Sequence, residues 1–297
     1  MAEDKTNLQA RIESGRPILV AEVSPPANSD PAPLREMAKC YAGKVHALGI
    51  SDNRDGACMS ALAAASLVSR EGVEPISHVV TRDRNRIALI SAGLGARALG
   101  IRNLLCTSGT HQRLGQQRAA KNVFDLDSVQ LLQAYASLET NGSPAGPLCL
   151  GAVATPFADP MELQVMRLAK KVAAGARFLI TQPVFDLDRF DAWWQEVTRR
   201  GIHQQVAILA GVRLLADAEQ AKHYAQTRPV PMIPEAVLQR MASPAEKQAQ
   251  RAAGIEIALQ TIERLSALEG LRGFEICGGG DHEAAVEVIE KSGWGAD

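Results

Sequence analysis

The sequence predicts an α/β fold, a (β/α)8 TIM barrel, on three observations. Short apolar runs of strand length recur eight times along the chain. Segments of helical period separate them, and no low-complexity linker divides the 297 residues into unlike halves. A doubly wound sheet is the rival architecture, but no strand is followed by a glycine-rich dinucleotide turn.

The first strand organises the rest. In Pro-Ile-Leu-Val-Ala-Glu-Val-Ser-Pro-Pro, residues 17–26, the apolar run reads as a strand buried on both faces. Glu22 sits inside that run. A carboxylate there is costly unless a partner or a task compensates it. Pairing with a nearby arginine at a sheet end is the structural alternative to a functional role.

The remaining elements follow in order. Residues 34–41 form an amphipathic helix, and a second strand over 45–50 ends in Ser51-Asp52-Asn53-Arg54-Asp55-Gly56. A helix of small residues covers 59–70. The third strand, 75–80, carries His78, which taken alone is more often a satisfied core histidine than a ligand. Thr81 or Asp83 is expected to cap the next helix. The fourth strand, 102–107, runs into Ser108-Gly109-Thr110-His111, and a helix starts near Asp127. The fifth strand is 148–154. Asp159-Pro160-Met161-Glu162 then reads as a capping box opening a helix that stops at Gly175. The sixth strand, 177–181, ends in Gln182-Pro183. Helix 187–200, strand 205–210 and helix 215–226 follow. Ser243-Pro244-Ala245-Glu246 is expected to cap a long helix to 268, by the same logic. Strand 273–277 and a helix opened by Asp281 close the pattern.

Composition removes several function classes. With 46% hydrophobic residues, 22% charged and a net charge of −1, nothing advertises nucleic acid or a membrane surface. No apolar run approaches the ~20 residues of a membrane span. Five scattered cysteines without a C-x-x-C pair read as reduced thiols, so a cytoplasmic location is expected. They also argue against a cysteine-bound zinc or iron–sulfur site. Three histidines or a His–Glu set at ligand spacing is not found, so no metal is expected. No nucleophile motif stands out either. Polar groups gathered at the C-terminal ends of the strands suit a bound organic cofactor better. Gly93 and Gly95 precede a strand instead of following one, which favours helix packing. Gly278-Gly279-Gly280 reads as a turn or a phosphate cradle, and Trp193-Trp194 as packing residues.

The residues resemble the methylenetetrahydrofolate reductase family over most of the chain. The carriers are Ala21-Glu22-Val23-Ser24-Pro25-Pro26, His78 with Thr81-Arg82-Asp83-Arg84-Asn85-Arg86, Leu99-Gly100-Ile101-Arg102-Asn103-Leu104-Leu105, and Val123-Phe124-Asp125-Leu126-Asp127-Ser128-Val129. Lys171-Val172-Ala173-Ala174-Gly175-Ala176 running into Thr181-Gln182-Pro183-Val184-Phe185-Asp186 is the clearest. The resemblance implies a single FAD-binding barrel over 1–297, with 1–15 as a flexible or helical extension. It implies interconversion of 5,10-methylene- and 5-methyltetrahydrofolate.

By resemblance, Glu22 is the general acid that helps open the methylene bridge, a task that suits a carboxylic acid kept protonated by burial. Gln182 binds the pterin edge, and Tyr224 stacks folate or nicotinamide. His78 contacts the flavin, which replaces its reading as a plain core residue. Lys171 lies near the flavin phosphates, and Phe124 and Asp125 line its adenosine end. Asp52 and Asn53 match by segment only.

Departures accompany the match. Where the family usually has Gly-Asp after the fourth strand, this chain has Gly109-Thr110. Ser108 stands for a common arginine, and Gln164 and Arg167 differ from common flavin-contacting types. Losing that anion is expected to raise the flavin potential. The substrate implied is methylenetetrahydrofolate. The electron donor is NAD(P)H or, as these departures suggest, a partner electron-transfer subunit, and a homo-oligomer is compatible. A pterin-binding methyltransferase barrel and a non-catalytic flavin or scaffold subunit are the alternative readings.

Overall fold

The computed structural model describes residues 5–139, 147–227 and 233–296. Residues 1–4 of the expected N-terminal extension lie outside them. Helix α1 (Asn7–Ser14) precedes strand β1 (Ile18–Val23), and the chain then alternates: α2 (Ala32–Tyr41), β2 (Ala47–Ile50), α3 (Ala61–Arg70), β3 (Pro75–Val80), α4 (Arg86–Ala98), β4 (Asn103–Thr107), α5 (Ser128–Glu139), β5 (Cys149–Ala154), α6 (Met161–Ala173), β6 (Phe178–Pro183), α7 (Leu187–Arg199) and β7 (Ala207–Arg213). Helices α8 (Ala218–Thr227), α9 (Glu235–Ala242) and α10 (Lys247–Ser266) lead to β8 (Gly273–Cys277) and α11 (His282–Ser292). The eight strands are parallel and close into a barrel in sequence order, β8 pairing back onto β1. The predicted fold class is observed.

Alternation along each strand divides the core in two. On β1, Leu19, Ala21 and Val23 pack between strands and helices, whereas Ile18 and Val20 join a cluster inside the barrel. Glu22 keeps the inward parity of Ile18 and Val20. Leu105, Cys149, Phe178, Ile180 and Leu209 fill the same interior. Helix α1 closes the N-terminal end by placing fully buried Leu8 in that cluster. Thr6 caps it, and the Glu74 carboxylate accepts from the backbone N–H groups of Asn7 and Leu8 at 2.6 and 2.9 Å. The lower barrel is therefore sealed and apolar, and polar groups that point inward near the strand C-termini sit directly on it.

Three expected helix starts are corrected. Asn85, not Thr81 or Asp83, caps α4 by accepting from Ala88 N–H at 3.0 Å. Asp159 turns away from α6 to meet Arg189 at 2.8 Å, and Pro160 occupies the cap position without a side-chain bond. The acid lies one residue too early to serve. Ser243 ends α9, a helix the sequence reading missed, and α10 starts four residues later after Glu246. Asp281 caps α11 as expected. Strands β6 and β7 run further than predicted, to Pro183 and Arg213, and this extension brings Gln182 and Arg213 to the mouth. The tight packing expected of Gly93 is real, since a Cβ there would lie 2.5 Å from the Tyr135 ring.

A second glycine shapes the barrel interior. A Cβ on Gly151 would sit 2.2 Å from the Phe178 ring. Gly151→Ala should therefore cost about 1–3 kcal/mol in urea unfolding through overpacking. Adding Phe178→Leu should recover part of that loss. A Gly151→Ala protein as stable as the parent would mean that the ring does not fill this space.

Candidate active site

At the C-terminal end of the barrel a cavity of about 200 Å³ opens between the strand ends. Glu22, Asp52, His78, Gly109, Thr110, Gln182 and Tyr224, all singled out from the sequence, line it. So do Arg54, Arg82, Glu275 and Cys277, which the sequence reading did not assign to a site.

The floor is built from three strands. Glu22 on β1, His78 on β3 and Glu275 on β8 are each buried, and one donor atom from each lies within 4.8 Å of the others. Gly49 on β2 makes this convergence feasible, because a Cβ there would stand 3.1 Å from His78 Nε2 and 3.5 Å from Glu275 Oε1. The expectation that the chain holds no His–Glu set is thus corrected. Residues far apart in sequence are gathered by barrel closure, which spacing along the chain cannot show. The positive charge in this floor comes from the protein: Arg54, on the loop after β2, donates to Glu22 Oε2. That ion pair matches the structural alternative raised for Glu22. Cys277 lies beside it, its Sγ 3.7 Å from Glu22 Oε1, and Arg213 donates to the same sulfur at 3.0 Å.

Burial sets the charges. It pushes the His78 imidazole down to about 4, against the pull of Glu22 and with the help of Arg54, so the ring is neutral. Burial first and the Glu22 charge second push the Glu275 carboxyl well above the usual range, with Arg54 opposing. Burial also works against the Arg54 charge, but the carboxylate of Glu22 outweighs it and the guanidinium stays charged.

The wall beside this floor is held by Arg82, almost fully buried. Its guanidinium donates to the Asp83 carboxylate, to Thr110 O at 2.9 Å and to Asn53 O at 2.7 Å. It thereby ties together the loops after β2, β3 and β4. Asp52 accepts from Val80 N–H at 3.0 Å and Arg84 at 2.8 Å. Burial still raises its carboxyl, these two partners opposing. Gly109 has φ 80°, and a Cβ there would lie 2.8 Å from Val80 Cγ2, so glycine is required on both counts. On the far wall, Arg213 lies 4.5 Å over the Tyr224 ring.

Three polar atoms of cavity residues are buried without a protein partner: Gln182 Oε1, His78 Nε2 and Glu275 Oε1. Such atoms are costly unless something completes them.

The other residues singled out from the sequence do not line this cavity. Asn53, at φ 47°, uses its Oδ1 to accept from Cys58 N–H at 3.2 Å. Ser108 Oγ accepts from Ser128 N–H at the start of α5. Asp125 accepts from Arg86 N–H at the start of α4, at 2.6 Å. Phe124, at φ 44°, is 41% exposed on the surface, a conformation rare for a bulky side chain. Lys171 points into the barrel wall, donating to Val153 O at 2.6 Å. Burial, aided by the Arg167 charge, lowers its amine to about 8.

His78 gives a test of this electrostatic picture. The unfolded imidazole takes up a proton near 6.5 and the folded one only near 4. Stability should therefore fall as pH drops through that window, by about 3 kcal/mol in all. His78→Gln should remove that part of the slope in urea unfolding between neutral and acid pH. An unchanged slope would show that His78 is not a buried neutral ring.

Comparison with known proteins agrees with the geometry. The family model described as methylenetetrahydrofolate reductase matches residues 7–293. A Caenorhabditis elegans protein named "probable methylenetetrahydrofolate reductase (NADPH)" is 25% identical over 178 residues, covering 59% of this chain and 25% of that protein. The chain thus matches about a quarter of that relative's length. Among solved structures, a Clostridium thermocellum protein described as binding two copies of 5-methyl-5,6,7,8-tetrahydrofolic acid shares the fold. Its TM-score is 0.69 at 13% identity, covering 96% of this chain and 98% of that one. An F420-dependent secondary alcohol dehydrogenase follows the same barrel with a TM-score of 0.57 at 10% identity, covering 93% and 98%. With its closed eight-stranded barrel and a family match running almost end to end, the chain belongs to the methylenetetrahydrofolate reductase family.

Proposed function

We propose that this protein interconverts 5,10-methylene- and 5-methyltetrahydrofolate in the cavity at the strand C-termini, with FAD as cofactor. The observation that carries the reading is the buried, unpartnered amide oxygen of Gln182, in a mouth whose floor holds the Glu22 carboxyl. A pterin edge alternates N–H donors with ring-nitrogen and carbonyl acceptors, and a neutral amide answers both. Glu22 supplies the proton at the folate nitrogen as the methylene bridge opens.

A flavin ring fits the same mouth. His78, neutral and with Nε2 unpartnered, and the Thr110 segment held by Arg82 offer it polar edges without a competing charge. FAD, when bound, supplies the hydride that the one-carbon unit gains. Lys171 is less suited to the phosphates, because its amine is committed to the Val153 carbonyl. The barrel floor excludes water from beneath the reacting groups, since Ile18, Val20, Phe178 and Leu209 pack there without gaps for solvent-exposed side chains.

Glu22→Gln tests the assignment. The amide keeps the shape but has no acidic proton to give, so folate turnover in FAD-reconstituted protein should fall by about two orders of magnitude or more. Affinity for FAD should be little changed. Folate products separated by chromatography report the rate, and a variant turning over at the parent rate would remove Glu22 from the chemistry.

A further inference from the structure

The floor holds two buried carboxyl groups and one guanidinium placed against only one of them. Arg54 sits on Glu22 Oε2. Glu275 has an oxygen, Oε1, that is buried with no partner. The groups facing Glu275 are Glu22 from β1, Arg54 from the loop after β2, His78 from β3 and Cys277 from its own strand. On β7 the residue in register with it is Gly211, which offers no side chain, and Arg213 is engaged with Cys277 and Tyr224. Among the described residues, no cation donates to Glu275 Oε1. Two anions this close, buried and with one guanidinium between them, repel strongly, which favours a proton on one of them.

We propose that Glu22 and Glu275 share one proton, Glu275 holding it in the free protein while Glu22 carries the charge opposite Arg54, and that Glu275 passes it to Glu22 for turnover. No direct hydrogen bond joins the two carboxyls, so in that step a water in the cavity relays the proton: the Glu275 O–H bond breaks, the water takes that proton and gives up one of its own, and a Glu22 O–H bond forms. The negative charge moves to Glu275, and no oxidant or reductant takes part. Glu22 then gives the proton to the folate nitrogen, and a proton from water at the open mouth restores Glu275. The trio of Glu22, Glu275 and Arg54 is neutral overall before and after the internal transfer, and the second anion formed when Glu22 gives its proton away is what draws a new proton onto Glu275. Burial and the Glu22 charge both hold the proton on Glu275, in agreement with this placement. The chemistry served rests on the folate reading, but the pair itself does not.

The carbonyl stretch of a protonated carboxylic acid, followed by infrared spectroscopy against pH in the folate-free protein, tests the pair directly. The band should be present at neutral pH and absent in Glu275→Gln. In Glu22→Gln it should remain, but titrate at lower pH, because removing the Glu22 charge frees Arg54 to stabilise the Glu275 anion. A band that survives Glu275→Gln, or a midpoint that does not fall in Glu22→Gln, would overturn the proposal. Because no folate is present, failure here is separate from failure of the proposed activity. For the transfer itself, Glu275→Gln should slow folate turnover about tenfold or more while leaving 5-methyltetrahydrofolate affinity within about twofold. Parent rates with an unchanged pH profile would refute the relay.

Discussion

The contact on which the site depends is the ion pair between Glu22 and Arg54. It lies where the inside of the barrel changes from apolar packing to polar mouth. Below it, Ile18, Val20, Leu105, Phe178 and Leu209 leave no water to solvate a charge. A carboxylate at this level must be neutralised by a partner or by a proton. The structure places a guanidinium from the loop after β2 against Glu22, while burial and the Glu22 charge push the Glu275 carboxyl well above the usual range.

Barrel closure makes this arrangement possible. Adjacent parallel strands carry their inward side chains in layers, so β1 and β8 present Glu22 and Glu275 to the same space. Glycine at 49 leaves room for His78 to reach them from β3. Loops do the rest, and they are not left free to wander. Arg82 binds the backbone of Asn53 and Thr110 from beneath, so the loops after β2 and β4 are fixed to the end of β3. Arg54 therefore approaches Glu22 from an anchored loop. That rigidity holds the Glu22 carboxyl in one place beside Glu275.

Much of the fold was legible because its signals are local. Eight apolar runs with helical segments between them suffice for a barrel, and the buried Glu22 announced itself as an acid inside a hydrophobic strand. Glu275 carries the same signal, inside Gly-Phe-Glu-Ile-Cys, and was read only as strand. Its importance is relational: a buried acid becomes special when a second one stands within 4.8 Å, and strand order supplies that fact. Arg54 and Arg82 were hidden for a similar reason, since a loop arginine in sequence looks like any solvated charge. The helix caps at Asp159 and Ser243 misled because residue type fits the pattern while the actual caps, Pro160 and Glu246, lie one and three residues later. Lys171 shows the opposite case. A resemblance placed it by a phosphate, whereas its helix directs the amine into the wall, toward a carbonyl of β5.

The most direct test of the whole account is a half-reaction observed without any external reductant. Protein reconstituted with FAD is mixed anaerobically with 5-methyltetrahydrofolate, and the flavin absorbance is followed in a stopped-flow instrument. The account predicts bleaching of the oxidised flavin with formation of one methylenetetrahydrofolate per flavin reduced. A protein that binds both FAD and methyltetrahydrofolate yet keeps its oxidised flavin spectrum would contradict it.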